Sequence, residues 1–316
     1  MSRSWTDPAW LDGAHAWIAG ELHRLGAEVT GAIEQPHVRP WSTVLRVPTE
    51  AGDAWFKASV EPLAHEPAVV EILARRSPDC LPRLLALDRQ RGWMLQADGG
   101  VRLRDMQETG RWEEVLPLYA GLQADAAGDV EELLAAGAPD RRLSALPVLY
   151  EGLLRRQRGI AGEDLRRLAG LAPAVARLCE TLARAGVPET VQHDDLHSNN
   201  VFVRDDGGYV LFDWGDSCVA HPFFTLHVTL RVLAWELDVE PTSKELVRFR
   251  DAYLDPWTRV ASRAELVRAL APAARLGGLA RAIGWQDLLD VLPQAARDEY
   301  ADTVRDRLAQ FLDECG

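Results

Sequence analysis

A short β-hairpin is predicted between two polar segments, in a chain that is otherwise mainly helical beyond about residue 111. Residues 201–203 and 209–212 are strand-like, and the turn-forming sequence Arg-Asp-Asp-Gly-Gly joins them. Asn200 comes directly before the hairpin and Asp213 directly after it. Because the strands of a hairpin run out and back, Asp213 returns to the neighbourhood of Asn200, 13 positions earlier. Any fold of this chain therefore has to bring these two polar segments together.

The residue types around the hairpin suit phosphoryl chemistry. An asparagine oxygen (Asn200) and a carboxylate (Asp213) converging at one point make a hard-oxygen site of the kind that Mg²⁺ prefers. Asp195 lies five residues before Asn200, in a loop, where it can accept a proton from a hydroxyl. One carboxylate orienting the nucleophile while other groups hold the metal is the division of labour in phosphoryl transfer.

The rest of the chain divides into a β-rich part and a helical part. Strands are predicted near 29–38, 42–47, 54–58, 84–88 and 92–96, with a helix at 66–76. After an Asp-Gly-Gly sequence at 98–100, helices are predicted at 111–127, 131–136, 141–158, 163–185 and from residue 222 onward. The pattern predicts an α+β fold with a small N-terminal lobe (1–97, including an N-terminal helical extension) and a larger helical lobe (98–316).

Charge and composition narrow the class of partner. The formal net charge of −13 argues against a general nucleic-acid binder or a protein of anionic membranes, and it leaves room for a cationic ligand. No uninterrupted apolar run approaches the roughly 18 residues that a membrane span needs, and residues 1–20 have no stretch of signal-peptide type. The four cysteines (80, 179, 218 and 315) are scattered without a CxxC pair, which is typical of a reducing compartment. We expect a cytoplasmic protein that binds neither nucleic acid nor membrane.

The polar segments resemble a known family. His193-x-Asp195-x-x-x-x-Asn200 followed by Asp213 matches the kinase pattern His-x-Asp-x-x-x-x-Asn…Asp. The version with Leu-His after the aspartate, and with Trp after Asp213, resembles the aminoglycoside phosphotransferase and choline kinase family of small-molecule kinases. Protein kinases have His-Arg-Asp and Asp-Phe-Gly instead.

This resemblance implies a two-lobed, protein-kinase-like fold with ATP and Mg²⁺ bound between the lobes; GTP is not excluded. It implies transfer of the γ-phosphoryl group to a hydroxyl of a small molecule, which we expect to bear an amino group, as in an aminoglycoside, an amino sugar or an amino alcohol. Asp195 would be the catalytic residue, and Asn200 and Asp213 would be the metal ligands. The oligomeric state is left open.

The resemblance also implies a lysine on a strand of the small lobe, held by a helix glutamate and touching the nucleotide α- and β-phosphates. Lys57 lies in the predicted strand 54–58 and is one of only two lysines in the chain. Of the two glutamates in the following helix, Glu66 falls on the apolar face and Glu71 points away from it. A carboxylate on a buried face needs a cation, so Glu66 is predicted to pair with Lys57 and Glu71 to be solvated.

Two further segments take nucleotide-binding positions by the same resemblance. Ser42 and Thr43 end a sequence, 39–43, that occupies the place of the phosphate-covering loop, although no GxGxxG motif is present. Gln96 and Ala97 end the predicted strand that would connect the lobes, where backbone groups bind adenine in the family.

Other residues of the polar segments keep more than one interpretation. His193 is expected to support the loop by packing and hydrogen bonding, and Asp194 to be solvated or turn-forming. His197 is either a contact on the substrate side or a support of the loop. Asp216 is either a contact for a substrate cation or a turn residue.

Two groups in the C-terminal helices are predicted to be unrelated to catalysis. Three tryptophans at amphipathic helical positions (Trp235, Trp257 and Trp285) are predicted to lie in the core. The acidic run of Glu236, Asp238 and Glu240 is predicted to be a solvated helix end, although the family builds its acceptor pocket nearby.

Four alternatives remain at this point. The alternation of His193, Asp195 and His197 is compatible with a metallohydrolase, but no second His/Cys cluster supports it. A serine hydrolase would show G-x-S-x-G, which is missing from the sequence. Phosphorylation of proteins is disfavoured because His-Arg-Asp and Ala-Pro-Glu motifs are missing. A kinase-shaped nucleotide-binding regulator without turnover would lack one of the residues Lys57, Asp195 or Asp213, and all three are present.

Overall fold

The computed structural model of the 316-residue chain describes residues 5–157 and 159–315. Residues 1–4, 158 and 316, which belong to the predicted lobes and to the predicted helix 141–158, lie outside the described residues. The first part of the chain is a helix followed by a β-sheet with one helix inserted in it. In chain order these elements are α1 (Pro8–Arg24), β1 (Glu34–Val38), β2 (Ser42–Thr49), β3 (Gly52–Ser59), α2 (Glu66–Ala74), β4 (Leu84–Asp88) and β5 (Trp93–Ala97).

The sheet is antiparallel, in the order β1-β2-β3-β5-β4. Side chains alternate between the two faces of a strand, and on β3 this alternation separates Phe56 from Lys57. The Phe56 face packs on Ile18 and Leu22 of α1 in an apolar cluster. The opposite face carries Lys57 towards α2 and the remainder of the chain. The sheet thus buries one face under α1 and uses the other to present a charged group.

Beyond β5 the described chain is mainly helical, with short strands near the centre. Its elements are β6 (Val101–Arg102), α3 (Leu103–Met106), α4 (Trp112–Asp125), α5 (Val130–Ala135), α6 (Leu146–Arg156), α7 (Gly162–Gly170), α8 (Ala172–Ala183), β7 (Thr190–Gln192), β8 (Val201–Val203), β9 (Tyr209–Leu211), β10 (Cys218–Ala220), α9 (Thr225–Leu237), α10 (Lys244–Leu254), α11 (Arg263–Val291), α12 (Gln294–Glu299) and α13 (Asp302–Cys315). The α+β class predicted from the sequence is confirmed. Among residues 5–157 and 159–315, no helix combines the length and the apolar character needed to span a membrane.

Glycines bring the β-sheet close to the predicted hairpin. Gly100 has φ +97°, and a Cβ there would lie 2.2 Å from the Val203 carbonyl oxygen of β8. A Cβ on Gly99 would lie 2.3 Å from the Phe212 ring. Only glycine fits this close passage, which explains the Gly-Gly sequence at 99–100. The division of the chain into lobes at residue 98 stays a prediction.

The hairpin itself is confirmed, whereas several neighbouring elements differ from the predictions. β8 and β9 pair antiparallel, with Val201 opposite Leu211. The strands β6, β7 and β10 were not predicted, because two or three residues are too few to show a period and no hairpin turn joins them to their partners, as one joins β8 to β9. The predicted helix 163–185 is two helices, α7 and α8, because Pro173 at the start of α8 has no N–H to continue the hydrogen bonding of α7.

One of the three tryptophans predicted to be in the core is not there. Trp257 is buried and Trp285 is half-buried, but Trp235 is 71% exposed. The buried face of α9 is formed by residues such as Leu226 and Leu233, and Trp235 lies on the opposite side of the helix. The Arg104 guanidinium covers its ring at 5.8 Å.

Candidate active site

The base of the β8–β9 hairpin brings the two polar segments together. The Phe212 N–H donates to the Asn200 carbonyl oxygen at 2.8 Å, so that Asp213 follows directly beside Asn200. The Asn200 amide Nδ2 donates to the Asp195 carbonyl oxygen at 2.9 Å and lies 3.5 Å from Asp195 Oδ2. Asp213 has a left-handed backbone with φ 64°, which aspartate tolerates better than most residues. The convergence predicted from the hairpin is present.

His193 supports this loop from inside the protein. Its ring nitrogen Nε2 lies 2.8 Å from the Phe212 carbonyl oxygen, and its ring packs 4.7 Å from that of Trp214. The His193 backbone N–H donates to the Tyr119 hydroxyl at 2.8 Å. Burial lowers the pKa of His193, which therefore stays neutral. The supporting role predicted for His193 is confirmed.

His197 lies beside the Asp195 carboxylate. Its Nε2 is 3.3 Å from Asp195 Oδ2, and its Nδ1 accepts from the Asn199 N–H at 3.3 Å. Burial alone would lower the pKa of His197, but the Asp195 carboxylate outweighs burial and raises it. These contacts fit the loop-supporting interpretation of His197, whose proton faces the carboxylate; a contact with the substrate stays a prediction.

These contacts occupy the histidine nitrogens that a metallohydrolase would use as zinc ligands. The His193 Nδ1 accepts from the Asp195 N–H at 3.3 Å, so both nitrogens of His193 and of His197 are engaged within the loop. Within residues 5–157 and 159–315, no group of three or more His, Cys, Asp or Glu side chains is arranged to hold a metal ion. The alternative of a zinc-dependent hydrolase is therefore not supported.

Lys57 joins the β-sheet to the hairpin. Its Nζ lies 2.7 Å from Glu66 Oε2 and 2.5 Å from Asp213 Oδ1. Burial would lower the pKa of the ammonium group, but Asp213 and Glu66 outweigh it and raise that pKa, so Lys57 stays charged. The predicted pairing of Lys57 with Glu66 is confirmed, whereas Glu71 pairs with Arg89 on the surface.

The charged side chains of Lys57, Glu66 and Asp213 differ in their exposure to solvent. The Glu66 side chain is 2% exposed and that of Lys57 9%, while the Asp213 side chain is 47% exposed. The buried glutamate therefore fixes the lysine, and the aspartate keeps a carboxylate that is open to solvent. A phosphate group that approaches Asp213 would meet a fixed ammonium group.

Arg281 of α11, which the sequence analysis did not single out, enters the site from the C-terminal helices. Its Nη2 donates to Asp195 Oδ1 at 2.8 Å, and its Nη1 lies 3.1 Å from Asp216 Oδ1 and 3.6 Å from Asp194 Oδ2. Arg281 itself is 6% exposed. A sequence signal for it exists, because Arg281 is the sole charged residue in the apolar run 276–285.

The prediction that Asp194 is solvated is wrong. Its side chain is 2% exposed, because two guanidinium groups compensate its charge: Arg281 at 3.6 Å and Arg141 at 3.5 Å. The Gln192 side chain also donates to it at 2.9 Å. Its turn-forming character is retained, since its φ is 62°.

The two other carboxylates that face Arg281 have opposite pKa shifts. Burial would raise the pKa of Asp195, but Arg281 and then His197 outweigh burial and hold that pKa below its usual range. Burial raises the pKa of Asp216 to about 6, although Arg281 acts against this shift. Asp195 is thus ionised at neutral pH, while Asp216 faces a guanidinium group and also ends the short turn 214–216 that follows Asp213.

The residues predicted at the nucleotide lie in the β-sheet. Ser42 and Thr43 are buried at the start of β2, where the Thr43 hydroxyl donates to the His37 carbonyl oxygen at 2.9 Å. The Ala97 N–H donates to the Arg83 carbonyl oxygen at 2.9 Å. Gln96 Oε1 is buried without a hydrogen-bond partner in the described part of the chain. Nucleotide contacts of these four residues stay a prediction.

The prediction that Glu236 belongs to a solvated helix end is wrong. Its side chain is 11% exposed, and its Oε1 accepts from the Ser198 hydroxyl at 2.5 Å and from Arg104 at 3.1 Å. The apolar packing of α9 brings Glu236 over the loop that carries Asp195. The neighbouring Asp238 and Glu240 are exposed, as predicted.

The order of these residues along the chain is that of the kinase pattern, and the fold brings them together at the base of the hairpin. The sequence matches the profile of the phosphotransferase enzyme family over residues 32–266. The chain belongs to this family. The predicted phosphotransferase activity class is thereby confirmed, and residues 195–216 lie within the matched region. No protein with a curated description matches the sequence.

Solved structures of phosphotransferases share the fold. An ethanolamine kinase from Plasmodium vivax superposes with a TM-score of 0.69 at 13% identity, covering 98% of this chain and 90% of that one. The choline kinase LicA from Streptococcus pneumoniae gives 0.60 at 16% identity (93% and 98% covered), and it has also been solved in complex with AMP. A macrolide 2'-phosphotransferase from Brachybacterium faecium gives 0.58 at 18% identity (91% and 97% covered). The predicted two-lobed, protein-kinase-like fold is confirmed.

Proposed function

We propose that this phosphotransferase transfers the γ-phosphoryl group of Mg²⁺-ATP to a hydroxyl of a small molecule. The observation that carries the proposal is the convergence of Lys57, Asp213 and Asp195 at the base of the hairpin, with Lys57 contacting Asp213 at 2.5 Å. One end of this arrangement suits a polyphosphate, and the other offers an ionised carboxylate to a hydroxyl. The AMP complex of LicA supports a nucleotide as the phosphoryl donor; GTP remains a second possible donor.

Each of the converging residues has a role in the proposed reaction. Asp195 orients the acceptor hydroxyl and takes its proton, and Lys57, fixed by Glu66, binds the α- and β-phosphates. The donor set of Asn200 and Asp213 fits Mg²⁺: the Asn200 Nδ2 is used for the Asp195 carbonyl, so its amide oxygen is left for a cation beside the Asp213 carboxylate. Bound Mg²⁺ would neutralise phosphate charge.

The acceptor is the finer part of the proposal. We expect an amino-bearing hydroxyl compound, such as an aminoglycoside, an amino sugar or an amino alcohol. The net charge of −13 supports a cationic acceptor, and two of the similar structures are named ethanolamine kinase and choline kinase. Residues 1–97 would form the nucleotide-binding lobe and 98–316 the acceptor-binding lobe. The four free cysteines are compatible with the cytoplasmic location that we expect.

The decisive experiment measures ADP release from Mg²⁺-ATP with a panel of aminoglycosides, amino sugars, choline-like alcohols and neutral sugars. The Asp195→Asn variant should bind the nucleotide like the wild type but lose turnover by about 10³-fold or more, because removal of a catalytic group has effects of this order. Asp205→Asn, a change at an exposed residue of the hairpin turn, is the matched control and should keep full activity.

Three outcomes would count against the proposal. Activity restricted to neutral or anionic acceptors would refute the amino-bearing class but keep the reaction. Equal loss of nucleotide affinity and turnover in Asp195→Asn would refute the role of Asp195. Nucleotide binding without turnover on any acceptor would favour the kinase-shaped regulator.

A further inference from the structure

We infer that Arg281 is a positioning residue for Asp195, an inference that rests on the proposed phosphoryl transfer. The guanidinium group donates through Nη2 to Asp195 Oδ1 at 2.8 Å. Asp195 Oδ2 faces His197 Nε2 at 3.3 Å. With one oxygen held from each side, the plane of the carboxylate is fixed, and its remaining lone pairs are left for an acceptor hydroxyl.

Arg281 is itself held rigidly in place. Its Nη1 lies 3.1 Å from Asp216 Oδ1, so one guanidinium group bridges two carboxylates, one of them in the loop before the hairpin and one after it. The guanidinium carbon also lies 5.9 Å from the centre of the Trp285 ring, one helical turn further along α11. A planar fork with fixed donors can make this bridge, whereas a lysine ammonium group cannot reproduce its geometry.

The sequence of α11 allows the arginine to reach this position. A Cβ on Gly277 would lie 3.0 Å from the Phe224 carbonyl oxygen, and a Cβ on Gly284 would lie 2.8 Å from the Arg141 guanidinium group. The two glycines stand on either side of Arg281 and let the helix approach the centre of the site. The helix backbone, and not a flexible loop, therefore sets where the guanidinium group lies.

The bridge also bears on the acceptor. Asp216 and Asp194 are two carboxylates that share Arg281 with Asp195, and both already face its guanidinium group. An amino group of the acceptor therefore binds away from these two residues. The interpretation of Asp216 as a contact for a substrate cation is replaced by a role in holding Arg281.

The test compares Arg281→Gln with Arg141→Gln. Arg141 is an excellent match, because it is 5% exposed against 6% for Arg281 and it also faces Asp194, but it does not contact Asp195. Once both variants are normalised to the folded fraction that binds nucleotide, Arg281→Gln should lower kcat by about 10²-fold, the order expected when a reacting group is misplaced. The KM for Mg²⁺-ATP should change less than about twofold, because Arg281 does not lie at Lys57. Arg141→Gln should keep kcat within about threefold of the wild type.

Two further variants keep the test decisive if Arg281→Gln does not fold. Arg281→Lys retains the buried positive charge and loses only the planar arrangement of donors of the guanidinium group. We expect its kcat to be about tenfold below that of the wild type. In Arg281→Ala, millimolar guanidinium chloride, far below unfolding concentrations, should restore part of kcat, whereas equimolar sodium chloride should not.

The outcomes separate this inference from the proposed function. A wild type that releases no acceptor-dependent ADP overturns both. Wild-type turnover together with an unchanged kcat in Arg281→Gln or Arg281→Lys overturns the role of Arg281 alone. Equal loss of kcat in Arg281→Gln and Arg141→Gln, without guanidinium rescue, shows a merely structural role and also overturns it.

Discussion

The Asp213 carboxylate connects the two halves of the site. It follows the hairpin with a left-handed backbone, contacts Lys57 at 2.5 Å and keeps a side chain that is 47% exposed. An aspartate that needed only the lysine would be buried with it, as Glu66 is. Its exposure leaves a carboxylate oxygen for a second partner, which we propose to be Mg²⁺.

Asp213→Asn tests that assignment. The neutral amide is a weaker ligand for a hard cation, so the affinity for Mg²⁺-ATP should fall by about tenfold or more, the range in which metal sites respond to changes around them. Isothermal titration calorimetry with ATP in the presence of Mg²⁺ and of EDTA measures the effect. With EDTA the variant and the wild type should differ much less. A variant that binds Mg²⁺-ATP like the wild type would show that Asp213 is not a metal ligand.

The residues of the candidate site were not equally predictable from the sequence. Asp195, Asn200 and Asp213 are fixed by short-range spacing around a hairpin, which a sequence displays directly. Asp194 and Arg281 are 87 positions apart, and their burial depends on each other. Neither side chain alone indicates a buried pair, and arginine is common in this chain, so only the apolar surroundings of Arg281 provided a signal.

At the scale of elements, the turn between β1 and β2 packs on the C-terminal helices. Trp41 lies edge-on to Trp285 of α11 at 5.6 Å and to Tyr300 at 5.1 Å. By its resemblance to the family, this turn is predicted to cover the nucleotide phosphates. It has no glycine-rich motif of its own, so we expect its position to depend on the aromatic contact with α11.

Trp41→Ala should loosen this turn. We expect the KM for Mg²⁺-ATP to rise about fivefold and the free energy of unfolding to fall by about 2–3 kcal/mol, because a large aromatic contact is lost. Steady-state kinetics and urea unfolding measure the two effects. Trp41→Phe retains most of the contact and serves as the control. An unchanged KM in the alanine variant would mean that the turn does not depend on Trp41.

The predictability of the elements follows their length and, for the short strands β8 and β9, the turn sequence that joins them. The sheet strands and long helices carry enough residues to show a period, and their bounds differ from the prediction by a few positions. β7 and β10 have three residues each and gain their identity only by pairing with each other. Pro173 is visible in the sequence, but a single proline in a helical pattern predicts a kink or a break only where the following residues pack separately.

At the scale of the whole molecule, buried histidines make the fold sensitive to acid. Burial lowers the pKa of His65 to about 4 and that of His221 to about 3, and it also lowers the pKa of His193. In the unfolded chain an imidazole takes up a proton near pH 6.5. As the pH falls from about 6.5 towards 4, the unfolded state binds protons that the folded state does not, so the free energy of unfolding should decrease.

The His221→Asn variant tests how much one of these histidines contributes to the pH dependence of the free energy of unfolding. The asparagine oxygen can replace the His221 Nδ1 that accepts from the Phe223 N–H at 3.2 Å. Between pH 6 and 4.5 the slope of the free energy of unfolding against pH should become less steep by about 1.4 kcal/mol per pH unit, the value for one proton. Urea unfolding at a series of pH values measures it, with the exposed His23→Asn as control. Identical slopes in His221→Asn and the wild type would contradict the prediction.

The contact between Asp195 and Arg281 also bears on how the protein is made. The two residues are separated by 86 positions, and α11 packs on α6, α8, α9 and α13. Chains are synthesised from the N-terminus, and domains begin to fold before synthesis ends. A nascent chain that has presented only residues up to α10 contains the complete Asp195 loop, yet its cluster of carboxylates has no counter-charge from α11. The enzyme should thus acquire its active form late in translation, and nascent chains stalled before Arg281 emerges from the ribosome should bind nucleotide without transferring phosphate.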